Sequence, residues 1–458
     1  MCYNKNEDQP KGDKALKLNY KRTFLIGLAF MSICAFWQMY DSLIPLILRD
    51  TFHVGDTLSG VIMAGDNVLA LFLLPLLGSL SDKVDTRIGK RMPFILGGTA
   101  VAVISMLFLP LIDNAYAASA GKGLRILFIA VLLVVLLAMA SYRSPAVALM
   151  PDLTIKPLRS KANAVINLMG AAGGILYLGL ATVMYSKSKT EGLTHINYFP
   201  IFAIIAFVMA VSVVILYFTV KEKEVAGEIE AYEAAHPEEN LAVEDEAHNS
   251  VLPKEVKRSL AFILISIALW FTGYNAITSA FTKYATREWD MATGGASACL
   301  MIATAGAIVS YMPIGAISSK IGRKRTILIG VATLSLCFAA AALYTVFFHI
   351  FHPALYLLFA LVGFAWAAIN VNSLPMVVEM CRDGDVGKFT GLYYTFSMAA
   401  QIVTPILSGF LLENVGYWTL FPYSALFVAL SFFSMLLVRH GDNKPHFEKG
   451  LENFDVED

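Results

Sequence analysis

The chain has 458 residues, 57% of them hydrophobic and only 15% charged, whereas a soluble domain carries about 25% charged residues. No soluble fold hides that much apolar surface, so the surplus must face lipid. With 35 Lys and Arg against 35 Asp and Glu, the net charge gives no sign of a nucleic-acid partner.

A membrane-crossing helix needs about 20 apolar residues, and such stretches occur twelve times in chain order. The first three, over 23–48, 57–81 and 93–112, are interrupted by the charged stretch GSLSDKVDTRIGKRMPFILGG (Gly78–Gly98). Three more follow at 124–150, 162–186 and 199–220. An acidic segment over 221–257 then separates these from spans at 259–284, 293–318, 326–348, 354–378, 389–413 and 418–438. The expected fold is an all-α polytopic membrane protein with twelve transmembrane helices. Its segments are an N-tail (1–22), a six-helix half (23–220), the linker (221–257), a second half (258–439) and a C-tail (440–458). The linker reads as a solvated run with room for one short amphipathic helix.

Orientation follows from cation placement. With the N-terminus inside, inner segments hold 27 of the 35 Lys and Arg and outer loops hold 7, so both termini are expected in the cytoplasm. An echo of the charged loop lies six spans later, where GAISSKIGRKR (Gly315–Arg325) matches Gly78, Lys83 and Gly89-Lys90-Arg91 with Gly315, Lys320 and Gly322-Arg323-Lys324. A repeat at that period predicts two related halves.

Ionisable residues inside spans are costly, so they face a cavity or a partner. Asp41 stands roughly 28 Å above Arg22, and Asp66 roughly 24 Å above Asp82, which puts both in the outer half. Arg143 sits roughly 12 Å above Pro151, in the inner half. Gln38, three residues before Asp41, shares its helix face. These groups read as substrate-binding (Gln38, Asp41, Arg143, with Tyr142 as a stacking ring) and cation-coupling (Asp66, Asp41). The competing reading is helix–helix glue, with Arg143 in a static pair with Asp152 or Glu379 and Tyr142 lining a helix interface. The second half offers amides and aromatics instead: Trp270, Tyr274, Asn275 and Thr278, then Trp366, Asn370 and Asn372, then Tyr393, Tyr394 and Gln401. Rings stack on the apolar face of a sugar and amides bond its hydroxyls in both senses, although aromatic stripes also serve packing.

No Lys-Ser/Thr phosphate loop and no nucleophile–base pair is present, which argues against an ATP-driven pump or an enzyme. The five cysteines, Cys2, Cys34, Cys299, Cys337 and Cys381, show no metal-ligand spacing, so neither a metal nor another cofactor is expected. All eight histidines fall in tails, loops or span ends, which leaves a carboxylate to carry any coupling proton.

The Gly-x-x-x-Asp-Lys loop ending in Gly89-Lys90-Arg91 resembles the signature of the major facilitator superfamily. Its longer form, Ser81–Phe94, is similar to the glycoside–pentoside–hexuronide:cation symporters, in the branch of the plant-type sucrose transporters and their bacterial relatives. Pro145, Asp152-Leu153 and Arg159-Ser-Lys-Ala162-Asn163-Ala164 fit the same pattern, as does Ala64–Asp82. That resemblance implies a cytoplasmic latch in which Asp82 works with Arg87, Lys90 and Arg91. In the second copy, where Ser319 replaces the acid, Arg323 and Lys324 would pair with Glu379. It implies a monomeric importer in the inner or plasma membrane, carrying a sugar such as sucrose or maltose with H+ or Na+. A symporter or exporter of another solute, or a sensor that does not transport, stays open as an alternative.

Overall fold

The computed structural model describes residues 18–155, 158–235, 253–380 and 386–442. Among the described residues, twelve helices are long and apolar enough to cross a membrane. They are α1 Tyr20–Asp50, α2 Asp56–Asp82, α3 Met92–Ala118, α4 Lys122–Asp152, α5 Arg159–Met184 and α6 Phe199–Thr219 in the first half. The second half comprises α7 Lys254–Glu288, α8 Thr293–Ile321, α9 Arg323–Phe347, α10 Leu355–Val378, α11 Val386–Asn414 and α12 Leu420–Leu436. A helix Glu222–Ala235 begins the linker. Most of the N-tail, linker residues 236–252, the end of the C-tail, Cys2 and Cys381 lie outside the described residues.

Helix ends follow local chemistry. Asn19 caps α1 by accepting from the Arg22 amide at 3.1 Å, and Pro residues open α3 and α6, where a missing N–H costs nothing. Two helices outrun the apolar stretches that predicted them: α3 continues six residues past 112, and α7 starts five residues before 259. Hydropathy marks the lipid layer, whereas a helix continues for as long as its backbone bonds do.

Packing repeats between the halves. In the first, α1 packs on α5 and α6, α3 on α4 and α6, and α2 on α4. Adding six to each number reproduces the second: α7 on α11 and α12, α9 on α10 and α12, α8 on α10. The halves meet through α2 against α11, its counterpart α8 against α5, and α1 against α7. Such a bundle gains little from the hydrophobic effect, because lipid is as apolar as its core; close backbone approach through small residues takes its place. At Gly173 a Cβ would stand 1.9 Å from the Met31 carbonyl, and at Gly363 2.0 Å from that of Ala303. Large side chains such as Phe72 and Ile126 stay about 70% exposed, as lipid-facing residues must.

With an even number of spans, α1 begins and α12 ends at one end of the bundle, here the terminal end; the opposite is the distal end. The inter-half seams are tight distally. A Cβ at Gly60 would sit 2.1 Å from the Pro405 carbonyl, at Gly409 2.3 Å from that of Asp56, and at Gly294 2.6 Å from that of Tyr185.

Candidate functional site

Three sets of side chains occupy the middle, the terminal end and the distal end. In the middle, Trp37, Asp66 and Arg143 line one small cavity with leucines and alanines of α2 and α4. The Arg143 guanidinium lies 5.9 Å from the centre of the Trp37 ring, and its charge acts on Asp66. Counting rise alone places Arg143 a layer below Asp66. Its long side chain closes the gap because side chains tilt toward a helix's N-terminus, here the distal end. Asp66 Oδ1 accepts from the Asn67 amide at 2.7 Å and from its side chain at 3.0 Å. Asp41 is near enough for its charge and that of Asp66 to interact. Gln38 is half-buried opposite Gly174 of α5. Arg143 pairs with neither Asp152 nor Glu379, because Arg91 and Lys90 hold the first and Arg323 the second.

Tyr142 is different. Its ring is fully buried and its hydroxyl bonds Ser32 Oγ at 2.8 Å and the Ala29 carbonyl at 3.0 Å. That ties α4 to α1 and leaves no ring face for a ligand in this conformation. Trp270 is likewise fully buried, with its indole N–H unpartnered among the described residues. Tyr274 and Trp366 stack face to face, with centroids 3.7 Å apart and planes 3° from parallel, and Phe271 meets Trp366 edge-on at 5.3 Å. Beside them the Asn275 amide nitrogen is buried without a partner among the described residues. Asn370 is buried, Asn372 donates to the Ala368 carbonyl at 2.9 Å, and Gln401 is half-buried on α11.

At the terminal end, Asp82 pairs with Arg91, whose Nε also donates to Asp152 at 2.8 Å; Lys90 is 3.4 Å from Asp152. Arg87 is exposed. The N-terminus of α3 is held by Glu222, not Asp82: its carboxylate accepts from the Lys90, Arg91 and Met92 amides, each at 2.8 Å. Unpaired N–H groups and the helix dipole make that end attractive to an acid. The expected solvated linker therefore starts with a side chain only 3% exposed. The second half repeats the device, with Asp442 accepting from the Lys324 amide at the start of α9, 2.7 Å away. The two matched glycines of the repeat explain the loop motif. Gly89 and Gly322 adopt φ of 113° and 93°, and a Cβ on either would run into Glu222 or Asp442. Arg323 pairs with Glu379. Lys324 does not: its ammonium goes to the Leu436 and Val438 carbonyls, because the α12 end lies closer.

The distal end holds a cluster that sequence reading missed. Lys283 of α7 and Asp56 of α2 form an ion pair at 2.8 Å across the halves, with both side chains under 10% exposed. Tyr417 donates to the other Asp56 oxygen at 2.5 Å. Arg49 donates to the Lys283 carbonyl and the Thr286 hydroxyl, and Glu413 accepts from the Thr57 amide at 2.7 Å. The available signal is Lys283 itself, a lysine just inside the end of the predicted span 259–284.

The family model of the Major Facilitator Superfamily matches residues 26–351 and 293–454. The chain belongs to that superfamily. It is therefore a multi-pass secondary transporter and not an enzyme. Sucrose transport protein SUC3 of Arabidopsis thaliana is 30% identical over 152 residues, covering 31% of this facilitator and 25% of that protein, so the match spans about a quarter of that relative. A variant of the nucleoside transporter NupG shares the fold with a TM-score of 0.64 at 16% identity, over 91% of this chain and 99% of that one. A bacterial homologue of the iron transporter ferroportin does so with 0.65 at 12%, over 92% of this chain and 99% of that one.

Proposed function

We propose that this facilitator imports a sugar, an α-glucoside such as sucrose or maltose, together with a proton, across the inner or plasma membrane. The observation that carries this is the set of Asp66, Arg143 and Trp37 around one cavity. It places a carboxyl able to take up a proton beside a permanent cation and an aromatic face. Asp41 and Gln38 lie on the neighbouring helix to bond hydroxyls, and Tyr274, Trp366, Asn275, Asn370 and Gln401 supply rings and amides from the other half. The partial similarity to a sucrose transport protein supports the substrate class.

In this reading the terminal end is cytoplasmic, as the cation bias favours, and the tight distal seams make the conformation inward-facing. A proton taken by Asp66 from outside lets the halves close over the sugar, because burying a neutral acid costs far less than burying a charged one. On the inner side, water and Arg143 draw the proton off again. Asp82, Lys90 and Arg91, and Arg323 with Glu379 in the second half, pair within their own halves here; in the outward-facing form these groups, with Arg87 and Lys324, meet across the halves as the latch that holds the cytoplasmic side shut. Asp82→Asn should then enrich inward-facing molecules and slow uptake with normal membrane insertion. Cysteine labelling from both sides reads this; unchanged labelling with full uptake would remove Asp82 from the latch.

The test of the function is radiolabelled uptake into proteoliposomes across a sugar panel, under imposed pH and Na+ gradients. We expect accumulation of an α-glucoside driven by external acid. Accumulation of another solute class, or only with Na+, would overturn the reading in favour of another symporter.

A further inference from the structure

Asp113 stands near the distal end of α3, fully buried, and neither carboxyl oxygen has a hydrogen-bond partner among the described residues. The Thr51 hydroxyl is close by but outside hydrogen-bonding geometry. Nothing in the transport cycle above uses this group. From the loop between α5 and α6, His195 Nε2 reaches to 3.6 Å from Asp113 Oδ2 and 2.9 Å from Asn114 Oδ1. The remaining charged or titratable groups nearby are few. Asp50 ends α1 and is held by Arg49; Tyr198 precedes α6; Tyr116 of α3 accepts a bond from Arg125 of α4. No cation side chain besides His195 is in reach of the Asp113 carboxyl among the described residues.

The His195 loop is wired to a seam between the halves. Asn197 Oδ1 accepts from Asn114 of α3 at 2.9 Å, and its carbonyl accepts from the Tyr185 hydroxyl at 3.2 Å. The Tyr185 carbonyl in turn accepts from the Gly294 amide of α8 at 2.8 Å, at the point where no Cβ fits. Three bonds thus connect α3, the loop and the α5–α8 contact.

We propose that Asp113 and His195 form a second proton-binding site at the distal face, whose loss of a proton opens the seam between α5 and α8. It rests on the reading above only in taking the distal face as external. While the pair shares one proton, either a neutral acid faces a neutral imidazole or a carboxylate faces an imidazolium, and both can stay buried. Removing that proton leaves a carboxylate beside a neutral imidazole, with no donor to meet it. Water is the only remedy, and admitting it lifts the loop from α3 and draws Tyr185 away from Gly294. Partial burial holds the His195 imidazole below its ordinary value, so the imidazole itself is neutral near pH 7.

Spin labels on Lys122→Cys and His349→Cys, exposed distal positions of opposite halves in a cysteine-free background, report seam opening by pulsed electron resonance. Without any solute, between about pH 5 and 8, the protein should pass from one short distance to a mixture with a longer one. Asp113→Asn, locked neutral, should keep the short distance throughout. His195→Gln retains a donor for Asn114 but loses the proton-sharing partner, and should move the change to higher pH. Asp66→Asn, which shifts the balance of the halves through the coupling carboxyl, should still show a pH-dependent change of distance that Asp113→Asn removes, which separates this site from the coupling site. A flat profile in the unaltered protein, a pH-dependent one in Asp113→Asn, an unshifted one in His195→Gln, or its loss in Asp66→Asn would each overturn the proposal.

Discussion

Asp66→Asn should abolish uphill accumulation while sugar still equilibrates down its gradient. A potential of 100 mV stores about 2.3 kcal/mol per proton, enough for roughly 50-fold accumulation at one proton per sugar. An amide takes up no proton, so the accumulation ratio should fall to about 1, whereas counterflow of labelled sugar persists because the amide still bonds hydroxyls. Asp41→Asn should chiefly weaken sugar binding, with coupling retained. The decisive comparison is the ratio at steady state under external acid. If Asp66→Asn still concentrates sugar, the proton travels on another group, and Asp41, whose charge Asp66 feels, is the next to examine.

The second large effect belongs to the distal ion pair. Asp56→Ala leaves the buried Lys283 ammonium without its carboxylate, a loss of about 3–5 kcal/mol. That loss falls on the distally closed state, where the pair exists, so the equilibrium between closed and open forms should move by roughly 150- to 5,000-fold. Reagents restricted to the distal side should then label positions in the central cavity that are otherwise shielded. Replacing both partners, Asp56→Asn with Lys283→Met, removes the unpaired charge and should restore most of the closed population. Equal labelling of all three proteins would mean that the glycine seams alone hold the distal face shut.

Much of the fold was legible because lipid makes a blunt demand: about 20 apolar residues per crossing. All twelve spans are where hydropathy put them, and the Gly89 and Gly322 repeat foretold the internal symmetry that the packing displays. The cavity trio was half legible. Asp66 and Arg143 stand out as charges in apolar spans, but their reach to one another depends on side-chain tilt, which a rise-per-residue count ignores. Tyr142 and Trp270 look like ligand rings in the sequence and are packed away in the structure, since composition cannot tell a ring facing a cavity from one facing a helix.

What stayed hidden depends on long-range pairing. Asp56 meets Lys283 and Tyr417 from far along the chain, and each alone reads as an ordinary charge or ring at a membrane boundary. Asp113 lies one residue beyond the predicted span 93–112 and so reads as a boundary acid in the sequence. Glu222 was lost among the acids of a linker whose composition says solvent; its burial comes from the N-terminus of α3, which an apolar count does not see.

Sugar-driven proton movement tests the central claim most directly. Proteoliposomes holding a pH-sensitive dye, with no pH gradient imposed, are given external sucrose or maltose. The account predicts that the lumen acidifies as sugar enters, and that Asp66→Asn admits sugar with no acidification. Sugar uptake by the unaltered protein without any change in luminal pH would contradict it.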